Sequence, residues 1–283
     1  MKKSVHIPGR VLLSLVAFLC TGCFDSQEET VPLGKEGLSI RYTAGDNRLY
    51  RREQEWSGDG QVEKYLSLAK LNIDKDTLFN GTDAVIATVT TWNVEPQGTK
   101  EFVHRILIAR EGRELSVYYF KGSSNPLSVG LFKAAAPYDT AVFSDRIIEG
   151  VFPLEPNLAW MPRYPDEEGF RYSIKRVYAG RETLKFGGKK YECGVIVFDS
   201  PPLTLARYWI SSVGLLKAAL DTDLRRGRMP GSEQQELQTP KDPDRILDNY
   251  DLVEINASQD VVEAYKTRMN QEIIAWRNRN GEK

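Results

Sequence analysis

Between residues 38 and 256 the dominant pattern is alternation of apolar and polar side chains with a period of two. That period puts successive side chains on opposite faces of a strand. It predicts strands over Leu38–Ala44, Leu49–Trp56, Ala84–Val94, Glu101–Ala109, Leu115–Lys121, Phe170–Ala179, Lys190–Asp199 and Thr204–Ile210. Thr, Val, Ile and Tyr are frequent in these runs, and Gly, Asn, Asp and Pro punctuate them. Asp59-Gly60, Asn80-Gly81 and Arg110-Glu111-Gly112-Arg113 carry hairpin-turn chemistry. Val62–Ile73 fits either period and is assigned to a strand, because YLSLAKLNI alternates. A helical stripe comes only after residue 258: Val261, Tyr265, Met269, Ile273 and Trp276 share one face, with Ser258 or Asp260 as cap. The opposite face mixes Glu263, Glu272, Lys266 and Arg268, which suits packing on the sheet better than a membrane surface. Consecutive antiparallel pairing follows. The expected class is mainly β: tandem curved antiparallel sheets, a half-barrel or meander, closed by a C-terminal helix.

One internal repeat divides the chain. Ser128–Ala135 (SVGLFKAA) matches Ser212–Ala219 (SVGLLKAA) at seven of eight positions. Each copy follows an aromatic strand, LSVYYF (115–120) or LARYWI (205–210), and an earlier apolar one, RILIA (105–109) or GVIVF (194–198). A duplicated meander accounts for this order, with a first β unit over 37–138 and a second over 139–222. Residues 223–247 hold few apolar side chains and three prolines, and are expected as an exposed loop. Residues 248–283 supply a last strand and the helix.

The N-terminus is an address. Lys2, Lys3 and Arg10 precede the apolar run Val11–Leu19, which is too short to span a bilayer, so 1–22 is assigned to a signal peptide. Leu19-Cys20-Thr21-Gly22-Cys23 resembles the lipobox of bacterial lipoproteins, with Cys23 as the acylated residue. It departs from that pattern in placing Leu four residues before Cys23, and ordinary signal peptidase could cut the same Gly22–Cys23 bond. The resemblance implies that Phe24, which is not Asp, permits passage to the outer membrane. Residues 23–36 are then a lipidated N-terminus and tether. Removing the signal leaves 35 basic against 39 acidic side chains, a net of −4. The balance of the whole chain, 38 against 39, gives no general case for nucleic-acid binding.

Loss of the signal also removes Cys20 and His6, leaving Cys23, Cys193 and His104. A single histidine cannot build a His-rich zinc site, and neither CxxC nor HExxH occurs. A Ser–His–Asp triad would need His104, which sits inside an alternating strand, and no GxSxG elbow accompanies it. Cys193, in the apolar run KYECGVIVF, reads as a buried inert thiol. Ser67-Leu-Ala-Lys70 satisfies SxxK without its SDN or KTG partners. The pairs Asp74/Asp76, Asp221/Asp223 and Asp242/Asp244 are expected in solvated turns. Tyr118, Tyr119, Phe120, Tyr208 and Trp209 occupy equivalent places in the repeat, where each adjacent pair puts one ring inward and one outward. The outward rings could line a groove or pair across strands. No catalytic residue, metal ligand or cofactor is assigned, and the ligand-binding residues stay open.

Phe152-Pro153-Leu154 with Trp160, then Gly187-Gly188-Lys189-Lys190-Tyr191, then Tyr208-Trp209-Ile210 and Val213-Gly214-Leu215-Leu216-Lys217 occur in that order. Over about a quarter of the chain this resembles the exported β-proteins of the DUF3108 type. Leu216 stands where that pattern has Val. The resemblance implies a curved antiparallel sheet in an exported protein and supplies no catalytic residues. The expected function is a membrane-tethered, non-enzymatic binding or envelope-assembly lipoprotein. It would sit in the outer membrane facing the periplasm, with a concave sheet that takes an apolar ligand or a protein partner. The alternative is a carboxylate-dependent hydrolase acting on envelope material. Two opposed carboxylates in a deep acidic cleft would favour the enzyme; an apolar groove would favour the binder.

Overall fold

In the computed structural model, residues 29–33, 42–58, 60–95, 98–120, 143–160, 175–200, 204–223 and 244–280 are described. The alternation becomes strands β1 (Thr30–Val31), β2 (Asn47–Gly58), β3 (Gln61–Phe79), β4 (Thr82–Glu95), β5 (Gly98–Glu111), β6 (Glu114–Phe120) and β7 (Phe143–Val151). The second half holds β8 (Ala159–Trp160), β9 (Lys175–Phe186), β10 (Lys189–Ser200), β11 (Thr204–Ser211), β12 (Gly214–Asp223) and β13 (Arg245–Ile255), followed by helix α1 (Gln259–Asn280). Each half is a meander. They are continuous because β13 pairs with β2, giving one sheet in the order β7-β6-β5-β4-β3-β2-β13-β12-β11-β10-β9-β8. This mainly β, antiparallel sheet curls into a nearly closed barrel.

The two faces of the sheet separate cleanly around β2. Even-numbered residues of β2 point inward, and the ladders carry that face across the first half through Tyr50↔Ala69, Ala69↔Thr91, Val89↔His104 and Ile108↔Val117. A single core cluster joins Tyr50, Leu71, Val89, Ile106 and Val117 from the first half to Trp160, Tyr178, Ile196, Ile210 and Leu252 from the second. The ladders put these ten side chains on the face that Tyr50 occupies, so this part of the core is the barrel interior.

Helix α1 covers the outside of β2–β4, where Val262, Met269 and Ile273 bury against Leu49, Leu66, Leu68, Trp92 and Val94. Burial of each of those three side chains stabilises by about 1.5–3 kcal/mol. The buried stripe starts one residue later than the spacing predicted. Val262 is fully covered, while Val261, Tyr265 and Trp276 are only half-buried. Ser258 caps the helix, its Oγ accepting from the Val261 N–H at 3.4 Å. Arg51 reaches across to Glu272 at 2.8 Å, and Lys266 lies 4.3 Å above the Trp92 ring.

Several expectations shift. Tyr42–Asp46, the end of the strand expected over Leu38–Ala44, forms a turn closed by the Asp46 N–H on the Thr43 carbonyl at 3.0 Å. The preceding residues of that strand lie outside the described residues. Asp74, Asp76, Asp221 and Asp223 stand in β3 and β12 rather than in turns, because strands here outrun their apolar stretches. For the same reason β13 takes in Arg245–Leu247 from the expected loop. Val31 and Leu33 fall inside the expected tether. They find apolar cover: Val31 pairs with Tyr191 in parallel, and Leu33 is buried with its N–H donating to Glu192 at 3.0 Å. The first repeat copy (128–135), the start of Phe170–Ala179, the signal segment and Cys23 lie outside the described residues.

The segments that suggested DUF3108-type proteins are structural. Phe152, Leu154 and Trp160 fill the core. Gly187 and Gly188 form the β9–β10 turn, both with positive φ. Gly214 adopts φ +106°, and a Cβ there would stand 3.3 Å from Arg48 Nε.

Candidate functional site

Polar groups buried in the barrel gather where β2 pairs with β13. Arg52 on β2 donates to Asp248 on β13 through Nε at 2.9 Å and Nη2 at 2.7 Å, and Gln54 Nε2 adds a third bond to Asp248 at 3.1 Å. Asp248 is 2% exposed and Arg52 7%. Desolvation raises the Asp248 carboxyl above the ordinary range, and Arg52 only partly offsets it. Burial also raises the Tyr250 hydroxyl, whose ring lies 5.1 Å from the Arg52 guanidinium. Further round the barrel, Arg176 lies 5.9 Å from the Tyr208 ring, which stacks on Phe198. Arg52, Gln54 and Asp248 satisfy one another across the β2–β13 ladder, so this cluster reads as architecture that holds the two halves together.

Open space lies beyond this cluster, at the end of the barrel where the β3–β4 hairpin and the β5–β6 turn meet. A cleft of about 580 Å³ is lined there by Tyr42, Thr43, Asp76, Asp83, Val85, Ile108, Arg110 and Leu115, among others. The register explains the lining: Val85 pairs with Ile108, and Arg110 with Leu115, so these side chains share the inner face. Val85, Ile108 and Leu115 are buried and form an apolar floor. Asp76, Asp83 and Arg110 are exposed and form the rim. Asp83 lies one step past the Ala84↔Ala109 pair, beside Arg110. The guanidinium nevertheless lies 6.0 Å from the Phe152 ring, and no ion pair joins it to either carboxylate. Tyr42 is steadied by Arg48, which sits 4.7 Å from its ring and donates from Nε to the Val213 carbonyl at 2.7 Å. The second half of the chain thereby braces the wall of a cleft built from the first.

The residues weighed from sequence fall mostly elsewhere. His104 sits in β5, half-buried, and desolvation lowers its imidazole below the ordinary value. Cys193 is fully buried, with its thiol pushed up to about 11 by desolvation. Ser67 and Lys70 lie on a strand, where a separation of three puts them on opposite faces, and Lys70 Nζ donates to the Ala257 carbonyl at 3.0 Å. The aromatic pair of the second repeat has both rings covered. Tyr208 is inside, and Trp209 is buried on the other face with its Nε1 donating to Glu182 at 2.6 Å. Tyr118 packs on Phe79 at 4.7 Å and donates to Glu111 at 2.8 Å. Tyr118, Tyr208 and Trp209 are not among the residues that line the cleft. Nothing in the sequence pattern marks Asp83 or Arg110 as site residues, and the spacing of Asp74 and Asp76 suggests a turn.

No protein-family model matches the chain, and no curated protein matches it. Among solved structures it is similar to a protein from Bacteroides fragilis described as exported and of YmcC-like fold, at 11% identity over 77% of this chain and 99% of that one, with TM-score 0.37. It is also similar to a protein from Parabacteroides distasonis described as a lipoprotein, at 12% identity over 78% and 100%, with TM-score 0.38. A domain from Vibrio parahaemolyticus described as an outer membrane lipoprotein-sorting protein overlaps at 11% identity over 76% and 88%, with TM-score 0.19. At these identities and scores the overlaps carry no argument about what this chain binds or does.

Proposed function

We propose that this chain is a membrane-tethered, non-enzymatic binding lipoprotein of the cell envelope. It is anchored through Cys23 in the outer membrane, faces the periplasm, and uses the open end of its barrel as the binding surface. The cleft carries the reading: an apolar floor of Val85, Ile108 and Leu115 beneath an exposed polar rim suits a small ligand that is largely apolar. Asp76 and Asp83 stand on neighbouring strands of one wall rather than opposed across a gap, which suits recognition better than a paired acid and base. The N-terminal segment supplies export and the lipid attachment point.

The test is to extract the full chain from its native membrane and identify what stays bound by mass spectrometry, beside a Val85→Trp variant whose indole fills the cleft. The expected result is an apolar small molecule on the native protein, lost from the variant. Recovery of nothing from the native protein, or equal recovery from both, overturns the assignment of the cleft.

A further inference from the structure

Resting on that reading of the cleft, we propose that its ligand is a single-chain amphiphile with an ammonium head, the chain lying on Val85, Ile108 and Leu115 and the head between Asp76 and Asp83. Three observations point to this class. The cleft, at about 580 Å³, is within the range that admits one small ligand, and among the described residues every buried lining side chain is apolar. Neither Asp76 nor Asp83 has a side-chain hydrogen-bond or ion-pair partner among the described residues, so both acceptors are free to meet a donor at the mouth. Arg110 is the one cation among the described lining residues, and its guanidinium lies 6.0 Å from the Phe152 ring without an ion pair to either carboxylate. The rim therefore carries a net charge of −1 over an apolar floor. An ammonium can donate three hydrogen bonds to such a rim. A carboxylate or sulfate head would face two like charges with a single guanidinium to receive it.

Both carboxylates are exposed, so water and salt weaken the discrimination. Two exposed pairs together support a preference for the ammonium over the carboxylate head on the order of tenfold at low salt. That preference should shrink as ionic strength rises, whereas the contribution of the apolar floor should not.

The experiment uses the full chain in membrane vesicles and two photoreactive dodecyl probes that differ only in the head, dodecylammonium and dodecanoate. Labelling of the β4 and β5 peptides is measured by mass spectrometry and normalised to labelling of the outer surface of α1. The expected result is roughly tenfold more cleft labelling by the ammonium probe. In Asp76→Asn/Asp83→Asn, which changes exposed side chains and keeps their shape, the two probes should label the cleft equally. Equal labelling by both probes in the native chain overturns the ammonium head while leaving the cleft as a binding surface. Absence of cleft labelling by either probe above the α1 background overturns both.

Discussion

Asp248 is the place where the two halves of the barrel depend on one side chain. It accepts three hydrogen bonds, two from Arg52 and one from Gln54, at 2% exposure, on the strand that joins the second half of the sheet to β2. Asp248→Ala removes all three acceptors and leaves a guanidinium buried without its carboxylate. Breaking one side of a buried pair costs about 3–5 kcal/mol. In a chain of this size that should lower the thermal midpoint by at least about 6 °C. Asp248→Asn separates the acceptor atoms from the charge. Its amide oxygen can still serve two of the three donors, and its NH₂ meets the third donor unfavourably, at a cost of about 1.5–3 kcal/mol for the lost charge-assisted bond.

The pH dependence follows from the same carboxyl. Its affinity for a proton is raised by burial, so its favourable contribution is fully present below the unfolded value, near pH 4, and is lost as pH rises through the higher folded value. Within that window the native chain should lose stability with rising pH, a slope absent from Asp248→Asn. Circular-dichroism melts of the three proteins between pH 3.5 and 8 are the assay. An Asp248→Ala penalty under about 1 kcal/mol would refute the reasoning, since the stranded Arg52 would then cost nothing measurable. An Asn variant as damaged as the Ala variant would show that charge, and not the acceptor atoms, holds Arg52.

Four further outcomes are expected. Met269→Ala, at a site 1% exposed under α1, should cost about 2–5 kcal/mol and open the helix to limited proteolysis ahead of the barrel. Cys193, fully buried and with its thiol held near 11, should resist iodoacetamide at pH 8 in the folded protein and react once unfolded. Cys193→Ser should lower stability by about 1–2 kcal/mol without loss of ligand, because the Tyr191 carbonyl lies 3.5 Å from the sulfur and can accept from a hydroxyl. Cys23→Ala should leave the protein exported but free of the membrane, as read by fractionation. Retention of that variant in the membrane fraction refutes the lipid anchor.

Local rules made most of the strands legible. Asn80-Gly81 and Gly112 turn the chain where their chemistry demands, and β3 settles as a strand the ambiguity of Val62–Ile73 because it is paired along both edges, by β2 and by β4. The closure of the barrel was less accessible. Arg52 and Asp248 are 196 residues apart, and neither RREQEW nor ILDNYD departs from an ordinary polar strand with one wet face. Only the β2–β13 ladder puts those polar residues on the dry face, where they require each other.

The cleft was hidden for a narrower reason. Strict alternation through LNIDKD would place Lys75 on the same face as Ile73 and turn Asp76 outward. The ladder instead shifts at Asp74: Ile73 pairs with Ala87, Lys75 with Ile86, and Asp76 with Val85. Because Val85 and Ala87 share the inner face, the bulge returns Asp76 to it and sends Lys75 outside. Were the same sequence paired without that bulge, Asp74 would face Ile86 and Lys75 would face Val85, so the rim would carry a lysine in place of an aspartate, and a cleft with net charge −1 would become one with net charge +1. The sign of the charge offered to a ligand thus depends on a single backbone irregularity that period-two reading cannot see. Composition, charge balance and strand pattern would all be unchanged by it.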